Sequence, residues 1–240
     1  MPELRPAAAS KFPLMADIHL TFAETADGSQ TIYNALVGEH YHSRHGALQE
    51  SRHVFLQSGL SFFLERNEVK DANILEMGFG TGLNFLLTAD YALEKQIKIH
   101  YTGIEAYPLP LEMISKTGYD DYVRTDTWNS FLEQYSSSFN NPVHLSAYCT
   151  FEVAQRTLMN FSTDRLFDVI YFDAFAAIHQ PEMWTNEALA HICSFLKHGG
   201  VFVTYAITGN LKRSMKALGC TIEKAPGAPG KREMLRAVKL

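Results

Sequence analysis

An acid and three closely spaced glycines stand together in Glu76-Met77-Gly78-Phe79-Gly80-Thr81-Gly82-Leu83-Asn84. The run follows the apolar stretch 74–77 and leads into LNFLLTADYALEK, so it reads as the turn between a strand and a helix. Glycines at such a turn let backbone amides approach a ligand and adopt conformations closed to other residues. A dinucleotide fingerprint would read GxGxxG and seat a pyrophosphate on the helix N-terminus. Here the spacing is GxGxG, with a carboxylate two residues before the first glycine. A cofactor with an amino-acid end and a ribose, but no phosphate, tolerates and uses that carboxylate; S-adenosylmethionine is such a molecule. Glu76, Gly78, Phe79, Gly80, Thr81, Gly82 and Asn84 are therefore the expected cofactor loop. Glu105 closes a second strand, IHYTGI, 27 residues after Gly78. An acid there can accept hydrogen bonds from both ribose hydroxyls. Glu152, in CTFEVAQ, is the candidate for reading adenine.

A second centre is Asp173, at the end of the apolar run DVIYFDA. The carboxyl ends of parallel strands hold the ligand in doubly wound sheets, so Asp173 is expected at the reacting centre. Gln180-Pro181-Glu182-Met183-Trp184 forms a rigid helix start after it, with Trp184 expected mainly to pack. Arg52 and His53 precede an apolar helix face and could line the pocket. His40, His42, His45 and His53 lie close in sequence, yet no HxxxH pair sits cleanly on a helix and no Cys or Asp cluster joins them, so no metal site is expected.

These residues need a frame. Asp27-Gly28, between LTFAET and TIYNAL, signals a hairpin. A helix is expected over about 49–66, although Val54, Phe55, Phe62 and Phe63 show no clean period. From residue 73, strands at 74–77, 99–104, 143–148, 168–174 and 200–205 alternate with helices. One helix spans 187–197 and stops at His198-Gly199-Gly200. Asn210 caps another, which ends at Gly219. Two closing strands, about 220–223 and 233–238, flank APGAPGK without a helix between them. The expected fold is α/β, a Rossmann-like, mostly parallel sheet with an antiparallel C-terminal edge pair. Residues 1–50 form an N-terminal extension of short strands and turns packed on a main domain at 51–240.

Composition narrows the classes. The chain has 240 residues, 46% hydrophobic and 20% charged, which suits a folded domain with a sizeable core. No apolar run reaches a membrane span, and the N-terminus lacks a secretory apolar region. Three cysteines without CxxC spacing exclude a disulfide framework and fit a reducing cytoplasm. The net charge of −5 hides an asymmetry. Residues 211–240 hold eight basic side chains against two acidic ones, while the rest of the chain is strongly acidic. A basic end can meet an anion, and Lys231 and Arg232 are its candidate substrate contacts, with Arg52.

The segments EMGFGTGLNFL, YTGIEAYPL, FDVIYFDAFA, QPEMW and PGAPGKREMLRA, in this order, resemble the methyltransferase domain of the MnmC-like family. GEHYHSRHGALQESRHVF is similar to the segment that precedes it there. The resemblance runs from about residue 20 to the end and departs from the family pattern at Ala177, Ile207-Thr208 and Ala228. It implies a class I S-adenosylmethionine-dependent methyltransferase. Its substrate would be the exocyclic amine of 5-aminomethyl-(2-thio)uridine at the tRNA wobble position. Such an amine needs a carboxylate to orient it and accept its proton, and Asp173, from its place at the strand end, is the expected catalytic residue. The resemblance also implies a stand-alone cytoplasmic enzyme with no flavin domain, expected to be a monomer, its amine substrate made by other proteins. Three rivals are a small-molecule or protein N-methyltransferase of the same fold, a non-catalytic S-adenosylmethionine- or RNA-binding protein, and a nicotinamide-dependent oxidoreductase. The glycine spacing and the antiparallel end argue against the last.

Overall fold

Residues 19–240 are described by a computed structural model; the first eighteen residues of the expected extension, and the reading of the extreme N-terminus, lie outside the described residues. The chain opens with a small antiparallel sheet of β1 (Leu20–Glu24), β2 (Gln30–Asn34) and β3 (Glu39–His40). Its first turn is the one Asp27-Gly28 encodes. Asp27 Oδ1 accepts from the Ser29 N–H at 3.1 Å and from the Thr25 hydroxyl at 2.7 Å, fixing the turn through its own side chain.

A helical rod follows. It begins as α1 (Ala47–Glu50), widens into a π-helical stretch over Ser51–Ser61, and ends as α2 (Phe62–Asn67). The wide stretch explains the missing period. Its backbone bonds skip one residue further than in an α-helix, as in Phe62 N–H to the Gln57 carbonyl. Buried positions accordingly fall at Glu50-Ser51, Val54-Phe55, Ser58 to Leu60 and Phe63-Leu64, four to five apart, so a 3.6-residue template does not register them.

The main sheet has eight strands. They are β4 (Asp71–Met77), β5 (Lys98–Ile104), β6 (Val143–Ser146), β7 (Cys149–Ala154), β8 (Phe167–Phe172), β9 (Leu196–Thr204), β10 (Cys220–Pro226) and β11 (Glu233–Lys239). Their spatial order is β10-β11-β9-β8-β4-β5-β7-β6. The five central strands are parallel, and β11, β10 and β6 run antiparallel to their neighbours. Period-two alternation feeds two apolar layers: Val169 and Tyr171 of β8 enter one, Ile170 and Phe172 the other. Helices α3 (Leu83–Lys95), α4 (Leu111–Ile114), α5 (Thr125–Gln134), α6 (Asn186–Ser194) and α7 (Gly209–Ala217) complete the domain. The mostly parallel sheet with its antiparallel C-terminal pair is as the sequence led us to expect.

Three local expectations change. The segment 143–148 was expected to be the third parallel strand; it is an antiparallel edge strand, and the third parallel strand is β7, immediately after it. The helix expected over 187–197 ends at Ser194, and Gly199-Gly200 lie inside β9 beside an irregularity in its pairing with β8. Helix α7 is capped by Thr208, whose hydroxyl accepts from the Leu211 N–H at 3.1 Å, rather than by Asn210. Thr208 is one of the departures from the family pattern, so that residue has a structural role here.

Candidate active site

From β4 the chain moves to β5 and β7 on one side and to β8 and β9 on the other. The carboxyl ends of β4 and β8 therefore diverge, and a cavity of about 1030 Å³ opens above them. The two ends are locked together: the Asp173 N–H donates to the Met77 carbonyl at 2.9 Å. Gly78 sits in this contact at φ +86, where an added Cβ would lie 2.4 Å from the Asp173 carbonyl oxygen. Gly80, at φ +52, turns its N–H to Glu105 Oε2 at 3.0 Å; a Cβ there would meet the Tyr41 ring at 2.9 Å. The Tyr107 N–H donates to Glu105 Oε1, also at 3.0 Å. Two backbone donors thus aim the carboxylate, while burial keeps its pKa raised.

This donor set fits S-adenosylmethionine. Glu105 retains lone pairs for a ribose diol, and the glycine loop offers backbone instead of side chain to the cavity. Two acids touch the loop and its approach strand, Glu105 at the Gly80 N–H and Asp173 through its backbone at Met77, which suits a sulfonium and opposes a pyrophosphate.

The other expected cofactor residues divide. Thr81 borders the cavity, but its hydroxyl accepts from Tyr119 at 3.1 Å and lies 3.3 Å from His42 Nε2. Phe79 borders it too, yet its ring turns into the core, stacking on Tyr135 with centroids 6.3 Å apart. Gly82 does not line the cavity; it begins α3 at φ +80, closely packed by Phe131 and Phe79. Glu76 is a correction: it is fully buried beneath the loop, bound to Asn84 and Tyr101, and does not reach the cavity. Glu152 is another correction. It pairs with Thr102 two residues short of the end of β7, and the cavity wall is reached by Gln155. The error follows from taking 143–148 as the third parallel strand, which displaced the expected loop.

Asp173 does stand at the cavity wall. Its Oδ2 accepts from Asn84 Nδ2 at 2.8 Å. Burial, with the nearby Glu50 and Glu39 carboxylates adding to it, pushes its pKa up to about 8 against the opposing pull of Asn84 and Lys231. Glu39 accepts the Ala176 N–H at 2.8 Å, which ties β3 to the loop after β8. Lys231 pairs with Glu50 and lies 4.0 Å above the centre of the Tyr205 ring, whose hydroxyl donates to the Ala174 carbonyl at 2.9 Å. Lys231 thus covers the Tyr205 face and pairs with Glu50, which leaves Asp173 as the carboxylate at the cavity wall able to take a proton near neutral pH.

Of the expected substrate contacts, only Lys231 lines the cavity. Arg232 is exposed outside it. Arg52 is corrected: on a helix, residues two apart do not share a face. Glu50 points in and Arg52 points out to solvent. His53 does not line the cavity; its Nε2 lies 2.7 Å from the Pro226 carbonyl oxygen. Half of the eight basic side chains at this end, Lys231 among them, are committed to acids or backbone carbonyls. Arg236 pairs with Glu223, Lys224 with Glu233, and Lys239 donates to the Cys193 and Leu196 carbonyls.

Several site residues are not among the expected cofactor or substrate contacts, and the sequence raises His42 only as a metal ligand. Glu39, Tyr41, His42 and Glu50 come from the first small sheet and α1, which fold over the mouth of the glycine loop. Burial lowers the pKa of His42 to about 4, and its ring joins Thr31 to Thr81. GEHYHSRHGALQE contains all four, but only its resemblance to a family segment marks it. Among the described residues no group of three or more metal-ligating side chains comes together, and no helix is long and apolar enough to cross a membrane.

Residues 123–240 match a family profile described as S-adenosyl-L-methionine-dependent methyltransferase. Curated relatives include the tRNA 5-methylaminomethyl-2-thiouridine biosynthesis bifunctional protein MnmC of Leptospira interrogans, 32% identical over 217 residues. That alignment covers 81% of this chain and 32% of the relative. The protein of the same name from Magnetococcus marinus is 30% identical, covering 83% and 31%. The chain therefore spans about a third of the length of the curated relatives it matches. A crystal structure of MNMC2 from Aquifex aeolicus superposes with a TM-score of 0.71 at 22% identity, covering 91% of this chain and 69% of that one, and shows the same fold.

Proposed function

We infer that this chain, which belongs to the S-adenosyl-L-methionine-dependent methyltransferases of class I fold and is related to the methyltransferase part of MnmC, methylates a primary amine on tRNA. The substrate is the 5-aminomethyl group of (2-thio)uridine at the wobble position, and the product is its 5-methylaminomethyl form. The observation that carries this reading is Asp173, a carboxylate raised to about 8 at the switch point, facing a cavity ringed by Glu39, Glu50 and Tyr205.

When bound, S-adenosylmethionine supplies an electrophilic methyl group. The chain's own residues do the rest. A primary amine is mostly protonated at neutral pH and cannot attack in that state. Asp173 attracts the ammonium, with Glu39 nearby and the Lys231–Glu50 pair beside it. Asp173 takes one proton from the nitrogen, freeing its lone pair, a contribution of about 10²–10⁴-fold for a general base. The glycine loop and Glu105 would hold the cofactor, and positioning the amine against it would supply much of the remaining rate. Gln155, which lines the cavity just after β7, would offer its amide to the adenine edge. The names of the curated relatives support tRNA as substrate, and exposed Arg232 offers a phosphate contact beside the mouth.

The test is single-turnover methyl transfer to tRNA bearing the unmethylated 5-aminomethyl nucleoside, followed by nucleoside mass analysis. One added methyl on that nucleoside is expected. No transfer to tRNA, with transfer to free small amines, overturns the substrate and favours the small-molecule rival.

A further inference from the structure

Beneath the cavity floor lies a chain of buried polar groups that the methyl-transfer chemistry does not itself use. The Tyr101 hydroxyl donates to Glu76 Oε2 at 2.8 Å. Glu76 Oε1 accepts from Asn84 Nδ2 at 2.8 Å. The same Nδ2 donates its second hydrogen to Asp173 Oδ2, again at 2.8 Å. Tyr101, Glu76 and Asn84 come from β5, β4 and α3, so three elements meet on one carboxylate. Each member is buried, in the part of the protein where unmet polar groups cost most.

Asn84 is the informative member. Both amide hydrogens are spent on carboxylate oxygens, and its Oδ1 is buried without a hydrogen-bond partner among the described residues. An amide placed for stability alone would satisfy its oxygen. Rotating it would set Oδ1 against two carboxylate oxygens, so the donations to Glu76 and Asp173 fix its orientation. Both amide hydrogens are thereby committed to the two acids, while Asn84 itself lines the cavity with its Oδ1 unpaired.

The geometry points to Asn84 as a positioning residue. Anchored through Glu76 to Tyr101, it holds the Asp173 carboxylate at the cavity wall and favours its ionised form. This rests on the reading of Asp173 as the base. A hydrogen bond to the charged form stabilises that form, so Asn84 lowers the pKa of Asp173. The other groups facing Asp173 are Glu50 and Glu39, which raise it, Lys231, which lowers it, and Glu76 across Asn84, whose own pKa burial and the Asp173 charge hold well above the usual carboxyl range. Tyr205, partly buried in the cavity lining, stays protonated, burial raising its pKa. Without Asn84 the raising influences dominate, and the carboxylate is also free to turn away from the amine.

The experiment compares wild type, Asn84→Ala and Asp173→Asn by pH profiles of kcat and kcat/KM, with cofactor affinity by calorimetry. Alanine suits a helix position, so α3 is kept. Expected for Asn84→Ala are a kcat lower by about tenfold, an acid limb of kcat/KM moved up by about one pH unit, and cofactor affinity within twofold of wild type. An unmoved limb with unchanged kcat overturns the proposal. So does a loss of cofactor affinity that accounts for the whole rate loss, since Asn84 would then be a cofactor ligand. Should Asn84→Ala fail to fold, Tyr101→Phe removes the outer bond while keeping the ring. Loosening the Glu76–Asn84 anchor should lower kcat about twofold with KM and cofactor affinity unchanged, and an unchanged kcat overturns the proposal. Near-wild-type activity in Asp173→Asn would instead refute the base itself, a result separate from any result on Asn84.

Discussion

Asp173→Asn is the sharpest perturbation of this site. Asparagine keeps the size and an oxygen for Asn84 Nδ2, and removes only the charge and the proton acceptor. With the pKa pushed up to about 8, about a tenth of wild-type molecules carry ionised Asp173 at pH 7 and about nine tenths at pH 9. Wild-type kcat/KM should therefore rise about tenfold across that interval and then flatten. Binding an ammonium beside Asp173 favours the ionised form, so the acid limb in kcat should lie below the limb in kcat/KM. The variant has no base and turns over only amine that is already neutral. Its rate should keep rising about tenfold per pH unit until the amine itself is titrated. The deficit should be about 10²-fold or more at pH 8 and shrink steadily above it. Single-turnover methyl transfer from pH 6.5 to 9.5, with cofactor affinity measured in parallel, reads this directly. A variant within threefold of wild type throughout, or a deficit that does not shrink above pH 8, refutes the base. Stability gives an independent sign. An acid whose folded pKa exceeds its unfolded one makes stability fall as pH rises between the two, here from about 4 to about 8. Asp173→Asn should therefore unfold at a higher temperature than wild type at pH 8–9, and at a similar one near pH 4.

Other expectations follow from the same geometry. Glu105→Ala loses a charged acceptor for the ribose and should weaken cofactor binding by about 1.5–3 kcal/mol, measured by calorimetry, with the fold intact. Gly78→Ala places a Cβ 2.4 Å from the Asp173 carbonyl at a left-handed φ, and should impair both cofactor affinity and methyl-transfer rate, whereas Gly118→Ala, with open space around it, should affect neither. His42 is held neutral, its folded pKa near 4 lying below the unfolded value of 6.5. Stability should thus be intact above pH 6.5 and fall by on the order of 2 kcal/mol toward pH 4, a slope that His42→Asn should reduce in denaturant titrations. Arg232→Ala should flatten the salt dependence of tRNA binding by about one unit, whereas Lys231→Met, which unmasks Glu50, should chiefly move the acid limb of the rate upward.

What could be read in the sequence was what local physics decides. The glycine loop, Glu105 and Asp173 sit where strand ends meet a turn, and a parallel sheet sends such ends to one crevice whatever the rest of the chain does. Glu152 was misplaced because 143–146 and 149–154 are both short, alternating and β-prone, and only pairing partners decide which joins β5 in parallel. Arg52 was misplaced because a π-helical stretch hides the face of a helix from any 3.6-residue template, and the inward residue was Glu50. Glu76 looked like a ligand because it is an acid beside glycines. In three dimensions it faces Asn84 and Tyr101, and its influence on the site passes through a second side chain. Glu39, Tyr41 and His42 were illegible for a related reason: they act on a loop about forty residues away in sequence, reached only after the small sheet has folded across it. Sequence spacing therefore locates groups that share an element with the reacting centre. Groups brought to that centre by a different element are legible only through tertiary contacts, and here they include most of the charges that set the pKa of Asp173.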